Sequence, residues 1–218
     1  MLYIVATPIG NLSDITERAK EILTTVSYVA CEDTRHSRIL MDKIGGKAQL
    51  VALHAHSSDR EIDRLISLLQ QGVDVALITD AGTPGISDPG GLLVERAHLA
   101  SIPVSPIPGA SSVAAALSVC GFPADQFIFY GFLPKKKGRH TLLQSLITQK
   151  MTTVFFESPE RIQRTLQDFG SILEGERRIC ICRELTKHYE EVWVGTLHEA
   201  LSREMVTKGE FVIVLEGK

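Results

Sequence analysis

Short apolar runs alternate along the chain with longer stretches in which apolar residues recur every three to four positions. "LYIVAT" (2–7) reads as a strand. "SDITERAKEILTTV" (13–26) then sets Ile15, Ala19, Ile22, Leu23 and Val26 on one helical face, with Ser13 or Asp14 available as N-cap. "SYVAC" (27–31) and "LVAL" (50–53) are strand-like. "SDREIDRLISLLQQG" (58–72) combines a capping box of Ser58 and Glu61, an apolar face of Ile62, Leu65, Ile66 and Leu69, and a terminating Gly72. "VDVALIT" (73–79) is a further strand, "LLVERAHLA" (92–100) a helix and "IPVSPI" (102–107) an extended segment.

Apolar strands alternating with helices predict an α/β fold whose parallel sheet is covered on both faces. In such sheets ligands bind beyond the carboxyl ends of the strands. Three loops fall there: "TPIGNL" (7–12), "EDTRH" (32–36) and "TDAGTPGISDPGG" (79–91). They are expected to lie along one edge and to line a shared cleft. "IPGASSVAAALSVCGFP" (107–123) changes the character, with small residues bracketed by Pro108 and Pro123. The reading is therefore a first domain over 1–110, an interdomain segment over 111–122 and a second α/β domain over 123–218. That second part alternates less regularly: "FIFYGFL", a helix 140–150, "TTVFFES", a helix 159–170, "RRICICRE", "EEVWVGTL", a short helix 197–205 and "EFVIVLEG". "YEEVWVGTL" and "GEFVIVLEG" are expected to pair antiparallel, which makes the second sheet mixed.

Of the 218 residues, 44% are hydrophobic and 22% charged, the balance of an ordinary globular protein. No apolar stretch is long enough to span a bilayer, and the start reads as a core strand, so a cytoplasmic protein is expected. The net charge of −3 does not mark a nucleic-acid binder in bulk, so any such contact must come from local patches, of which "PKKKGRH" (134–140) is the densest. Cys31, Cys120, Cys180 and Cys182 form no C-x-x-C pair and read as core thiols, with no metal expected. His54 and His56 have no partner cluster that would make them metal ligands, and read as loop residues.

A phosphate loop of the G-x-x-x-x-G-K-[ST] type and a G-x-G-x-x-G after the first strand are both absent. What remains is the loop 79–91, with four glycines, two prolines and two aspartates. It is either a structural connection or a place where bare backbone approaches a ligand, with Asp80 and Asp88 accepting hydrogen bonds. "CEDTRHSR" (31–38) is either a capped helix start, on Asp33 or Thr34, or a polar site with an acid or imidazole placed to take a proton. "PKKKGRH" is either a solvated loop or a phosphate clamp. In "FFESPERI" (155–162), Ser158 as N-cap with proline at N1 explains the pattern.

"LYIVATPIGNLSDIT", "CEDTR", "DAGTPGISDPG", "PGASS", "GFLP", "FFESPERI", "RELTK" and the closing "GEFVIVLEG" together resemble the tetrapyrrole methylase superfamily. Within it they resemble the bacterial 16S rRNA (cytidine-2′-O)-methyltransferases that act at the decoding centre. Longer members of that group continue past the point where this chain stops, Lys218.

The resemblance implies a two-domain class III methyltransferase, homodimeric, that binds S-adenosylmethionine folded in the cleft between its domains. It implies cofactor contacts at Pro8, Asp80, Gly82, Ile86 and Asp88, with Ser111, Ser112, Phe156, Leu185 and Gly209 completing the pocket. Asp33 and Asp88, then His36, are the candidate bases, and Arg35 would hold a phosphate or orient the acid. Arg35, His36, Arg38, Lys135, Lys136, Lys137 and Arg139 are the candidate contacts to 16S rRNA in the small ribosomal subunit. A methyltransferase for a small tetrapyrrole and a non-catalytic S-adenosylmethionine-binding module are the alternatives.

Overall fold

The computed structural model describes residues 1–54 and 59–218. His56 and the proposed cap Ser58 lie outside the described residues. The chain forms two compact units, Met1–Ser111 and Ser112–Lys218.

In the first unit, β1 (Leu2–Val5), β2 (Tyr28–Cys31), β3 (Gln49–Ala52), β4 (Val75–Leu77) and β5 (Val104–Ile107) form one sheet in the order β3-β2-β4-β1-β5. Every pairing is parallel. Side chains alternate across β1: Tyr3 and Val5 join one apolar cluster, Leu2 and Ile4 the other. Helices α1 (Glu17–Thr25) and α2 (Thr34–Ile44) bring Ala19, Leu23, Leu40 and Met41 to the first cluster. Helices α3 (Asp59–Gln70) and α4 (Gly91–Leu99) bring Leu65, Leu69, Leu93 and Ala97 to the second. The sheet is thus apolar on both faces, as its uninterrupted apolar runs require.

Two helix starts differ from the sequence expectation. Residues 12–14 form a single 3-10 turn, whose amide at Ser13 is capped by the Asn11 side chain. Helix α1 begins only at Glu17, and its cap is Thr16, which accepts from the Ala19 amide. Ser13 and Asp14 are therefore not its N-cap: the turn uses them first. At α2 one of the two expected caps is realised, with the Asp33 carboxylate accepting from the Arg35 amide.

In the second unit, β6 (Phe127–Phe132), β7 (Thr152–Glu157), β8 (Arg178–Arg183), β9 (Glu191–Thr196) and β10 (Phe211–Leu215) form a mixed sheet in the order β6-β7-β10-β8-β9. Only β6 and β7 run parallel. β9 and β10 are not neighbours, contrary to expectation. Each pairs antiparallel with β8, which lies between them. Helices α6 (Arg139–Leu146), α7 (Ile162–Ile172) and α8 (Leu197–Ser202) pack Leu146, Phe169 and Leu197 against Phe155, Ile179 and Ile213. Segment 111–122 holds α5 (Ser112–Cys120), which belongs to this unit and packs against β10 and β9.

Helix α7 starts later than its proline predicted. Residues 159–161 form a turn, and the Ser158 carbonyl, not its hydroxyl, takes the Arg161 and Ile162 amides. The Ser158 amide itself donates to Glu157, a carboxylate with no exposed surface that also receives Thr165 and Arg161. That buried pair anchors the carboxyl end of β7.

Phe155 lies fully buried among Tyr130 and Phe169, with ring centroids 5.5 Å and 5.7 Å away. Phe155→Ala should lower the unfolding free energy by about 3–5 kcal/mol through lost burial and the cavity left behind. Urea denaturation followed by circular dichroism measures it; a loss under about 1 kcal/mol would mean the site collapses around the gap.

Candidate functional site

The carboxyl ends of β2, β4 and β1 are adjacent in the first sheet. β2 leads through α2 to β3 on one side, and β4 leads through α4 to β5 on the other. The two helices cover opposite faces, so the chain diverges between β2 and β4. That divergence opens a crevice at the strand ends, where ligands of open α/β sheets bind.

Hydrogen bonds tie the three loops at this edge together. The Thr7 amide donates to the Gly82 carbonyl at 2.9 Å and the Gly82 amide to the Thr7 carbonyl at 3.1 Å. The Thr7 hydroxyl donates to the Thr79 carbonyl at 3.0 Å. Gly82 has φ +87°, a left-handed conformation that costs a residue with a Cβ about 1–2 kcal/mol. Across the crevice, the Asp33 amide donates to Asp80 Oδ1 at 3.2 Å. The Thr83 hydroxyl donates to the Ala110 carbonyl at 3.1 Å, holding the loop beside Ser111. The structure therefore brings Pro8, Asp33, Asp80, Gly82, Ile86 and Asp88 to one edge of the first unit. Pro8 and Gly82 are buried, Asp33, Asp80 and Asp88 half-buried, and Ile86 is exposed.

The carboxylates in this cluster are used differently. Asp88 accepts from the Gly85 amide with both oxygens, at 2.8 and 2.9 Å, and from the Gly90 amide at 3.0 Å. It closes its own loop. Asp33 accepts from the Arg35 amide at 2.8 Å and from the Arg35 guanidinium at 3.2 and 2.8 Å. Those bonds hold its carboxyl down at about 2, and Asp33 in turn raises Arg35. So acidic a group is a weak proton acceptor near neutral pH. Glu32 is pushed the other way: partial desolvation raises it, and Asp80, Asp88 and Asp33 add like-charge repulsion. The sequence places Glu32 in the charged cluster just past β2 but does not single it out as a base. The like charges of Asp80 and Asp88 reach it from a loop two strands further along, and no local pattern reveals them.

On α2, Arg35, His36 and Arg38 are exposed, the Arg35 side chain to 90%. In the second unit, Phe156, Leu185 and Gly209 gather at the end of the sheet where β7 and β8 finish and β10 begins. Gly209 has φ +87° and stands against the Glu184 side chain, which accepts from the Glu210 amide at 2.9 Å. Glu184 and Thr186, flanking Leu185, also hold positive φ. Ser111 and Ser112 are half-buried at the junction of the two units.

The basic stretch divides. Lys135, Lys136 and Lys137 are exposed. Arg139 is not part of that surface, contrary to its reading as an RNA contact. It is 6% exposed, and its guanidinium donates to Asp168 at 2.6 and 2.8 Å, to Thr165 at 2.9 Å and to the Pro134 carbonyl at 3.2 Å. With these donors occupied inside the fold, it braces the loop for the lysines. Among the described residues, no group of three or more His, Cys, Asp or Glu could hold a metal ion, and no helix is long and apolar enough to cross a membrane.

The family model described as Tetrapyrrole (Corrin/Porphyrin) Methylases matches residues 1–201. The chain belongs to that methylase family. It is 45% identical over its whole length to a protein of Synechocystis, of which it covers 79%, named ribosomal RNA small subunit methyltransferase I. A protein of the same name from Escherichia coli O157:H7 is 43% identical, with 99% of this chain and 77% of that one covered. One from Mesorhizobium japonicum is 49% identical, with 97% and 74% covered. Among solved structures, uroporphyrin-III-C-methyltransferase from Thermus thermophilus superposes with a TM-score of 0.68 at 20% identity, covering 98% of this chain and 93% of that one. A cobalt precorrin-4 methyltransferase superposes with a TM-score of 0.71 at 18% identity, covering 99% and 94%. At such identities the structures establish the methylase fold.

Two outcomes test this geometry. In an NMR titration the Asp33 carboxyl should show a midpoint near 2, returning toward the ordinary 3.8 in Arg35→Ala. Because the folded-state value is depressed, the pair's stabilisation is present above the unfolded value and is lost as pH falls toward 2. Unchanged titration in the variant would remove Arg35 as the cause. Arg139→Gln should destabilise the fold by about 2–3 kcal/mol in urea, since it leaves Asp168 without its cation; an unaffected midpoint would return Arg139 to the surface.

Proposed function

We propose that this methylase carries a methyl group from S-adenosylmethionine to the ribose 2′-hydroxyl of a decoding-centre cytidine in 16S rRNA. The observation that carries the reading is full-length similarity, between 43% and 49% identical, to proteins named ribosomal RNA small subunit methyltransferase I. The reading carries with it a cytoplasmic homodimer acting on the small ribosomal subunit.

The residues suit such a cofactor. Asp80 and Asp88 would favour its sulfonium and ammonium charges, and Gly82 and Gly85 would offer bare backbone to its methionine part. Pro8, Ile86, Ser111, Ser112, Phe156, Leu185 and Gly209 remain its proposed contacts. The Thr186 hydroxyl beside Leu185 is buried without a hydrogen-bond partner among the described residues, so it is available to a polar ligand atom. When bound, the cofactor supplies a methyl already activated by positive sulfur. What the chain must do is hold the acceptor oxygen within about 3–3.5 Å of that methyl, and receive a proton. Glu32 is assigned to receive it: it stands first beyond β2 beside Asp80 and Asp88, and desolvation with their like charge raises its proton affinity, whereas Arg35 holds Asp33 down. Asp33 keeps Arg35 extended for a phosphate, and Asp88 fixes the loop. His36, Arg38 and Lys135 to Lys137 add positive charge along the RNA.

Calorimetric titration of S-adenosylmethionine, then tritiated methyl transfer to isolated 30S subunits with nucleoside analysis of the product, tests the whole. Label is expected in 2′-O-methylcytidine. Label on porphyrin-type rings alone would favour the tetrapyrrole alternative, and binding without transfer the non-catalytic one. Glu32→Gln should slow single-turnover transfer by about 10²–10⁴-fold with cofactor affinity unchanged. In the parent the rate should fall as acid protonates Glu32, at a pH above the ordinary value of 4.5. If that limb persists in Glu32→Gln, the base is another group.

A further inference from the structure

Strand β6 carries a bulge. Phe129 pairs with Val154 and Phe132 with Phe156, so three steps along β6 match two along β7. The extra residue falls at Gly131 or beside it; Gly131 has φ +64°. Strict alternation would send Phe132 to the same face as Tyr130, whose ring stacks on core residue Phe155. The bulge reverses that parity. Phe132 instead meets the edge of Phe156, with ring centroids 5.6 Å apart, and Phe156 likewise meets Phe129 at 4.9 Å. Leu133 then enters the core at 1% exposure, while Phe132 stays 54% exposed. A backbone irregularity has been used to bring a large aromatic side chain out of the core. Bulges of this kind re-aim side chains at sheet edges and beside functional sites.

Two residues beyond Leu133 the exposed lysines begin. From Phe132 to Lys135 is three residues, at most about 11 Å of extended chain. β6 is an edge strand, with no strand of the described residues beyond it. We propose that Phe132, backed by Phe156, is a stacking platform for an unpaired nucleobase of the RNA substrate, whose backbone is held by Lys135, Lys136 and Lys137. The assignment rests on the RNA reading given above and adds a residue to it. An exposed ring beside clustered cations suits a single strand, because every base has a face to stack and every phosphate a charge to neutralise. Flanking β-sheet apolar surface without cations would carry no such preference.

The two contributions separate by salt. Stacking releases no counterions, whereas each lysine–phosphate contact does. The experiment is filter binding of parent and variants to unmethylated small ribosomal subunits and to a single-stranded oligoribonucleotide, over a range of salt, with light scattering for oligomeric state. Phe132→Ala should weaken binding about 5- to 150-fold at every salt concentration with the log–log slope unchanged. Phe132→Trp should restore affinity and Phe132→Leu should not. Phe127→Ala, altering the ring at the far end of the strand, 43% exposed, should bind as the parent does. Reversing the three lysines to glutamate should flatten the slope. Parent affinity in Phe132→Ala, equal loss in Phe127→Ala, or a change of oligomeric state in Phe132→Ala would overturn the platform, the last assigning the ring to contact between copies. If the parent itself neither binds nor methylates RNA, the function proposed above fails, independently of Phe132.

Discussion

The paired hydrogen bonds between Thr7 and Gly82 hold the edge of the first unit that carries the candidate site in place. They join the exits of β1 and β4, two neighbouring strands whose chains leave in opposite directions. Each bond contributes only about 0.5–1.5 kcal/mol net. A side chain at the left-handed Gly82 would cost about as much as one of them. The arrangement is thus decided by the conformation one residue can reach. Once the two exits are joined, Asp80 stands where it can accept from the Asp33 amide, and the third loop follows.

Within that edge, adjacent residues are driven to opposite proton affinities. Asp33 has a cation in contact and two amide-type donors, and its charged form is favoured. Glu32, one residue earlier, meets partial desolvation and three other carboxylates, and its charged form is disfavoured. Two acids of nearly equal intrinsic strength are thus moved apart, one held down by its cation and the other raised by burial and like charge. The separation arises from the turn into α2, which points Asp33 along the helix start toward Arg35.

Much of the first unit was legible because its strands are buried on both sides and its helices on one, and both conditions leave periodic traces. The glycine loop was legible because its backbone demands residues that stand out. What escaped were features set by partners distant in sequence. Ser13 and Asp14 are good caps, yet the turn capped by Asn11 consumes them and leaves Thr16 to start α1. β9 and β10 are consecutive strands with suitable patterns, and nothing local announces that β8 lies between them. Arg139 looks like its basic neighbours, and only the fold brings Asp168 and Thr165 to it.

The bulge in β6 also changes how substitutions and length changes are tolerated there. Side-chain facing in a strand is a two-state code, and one added residue inverts it for everything downstream. Losing the extra residue at Gly131 would straighten β6 and leave Phe132 opposite Phe156, with Leu133 still inward. Keeping the count but losing the bulge, as a side chain that disfavours the positive φ of Gly131 would do, turns Phe132 inward and Leu133 outward. Between related chains, a substitution at this glycine is therefore a difference in which ring faces solvent, and it carries more information than a one-residue length difference that the bulge absorbs.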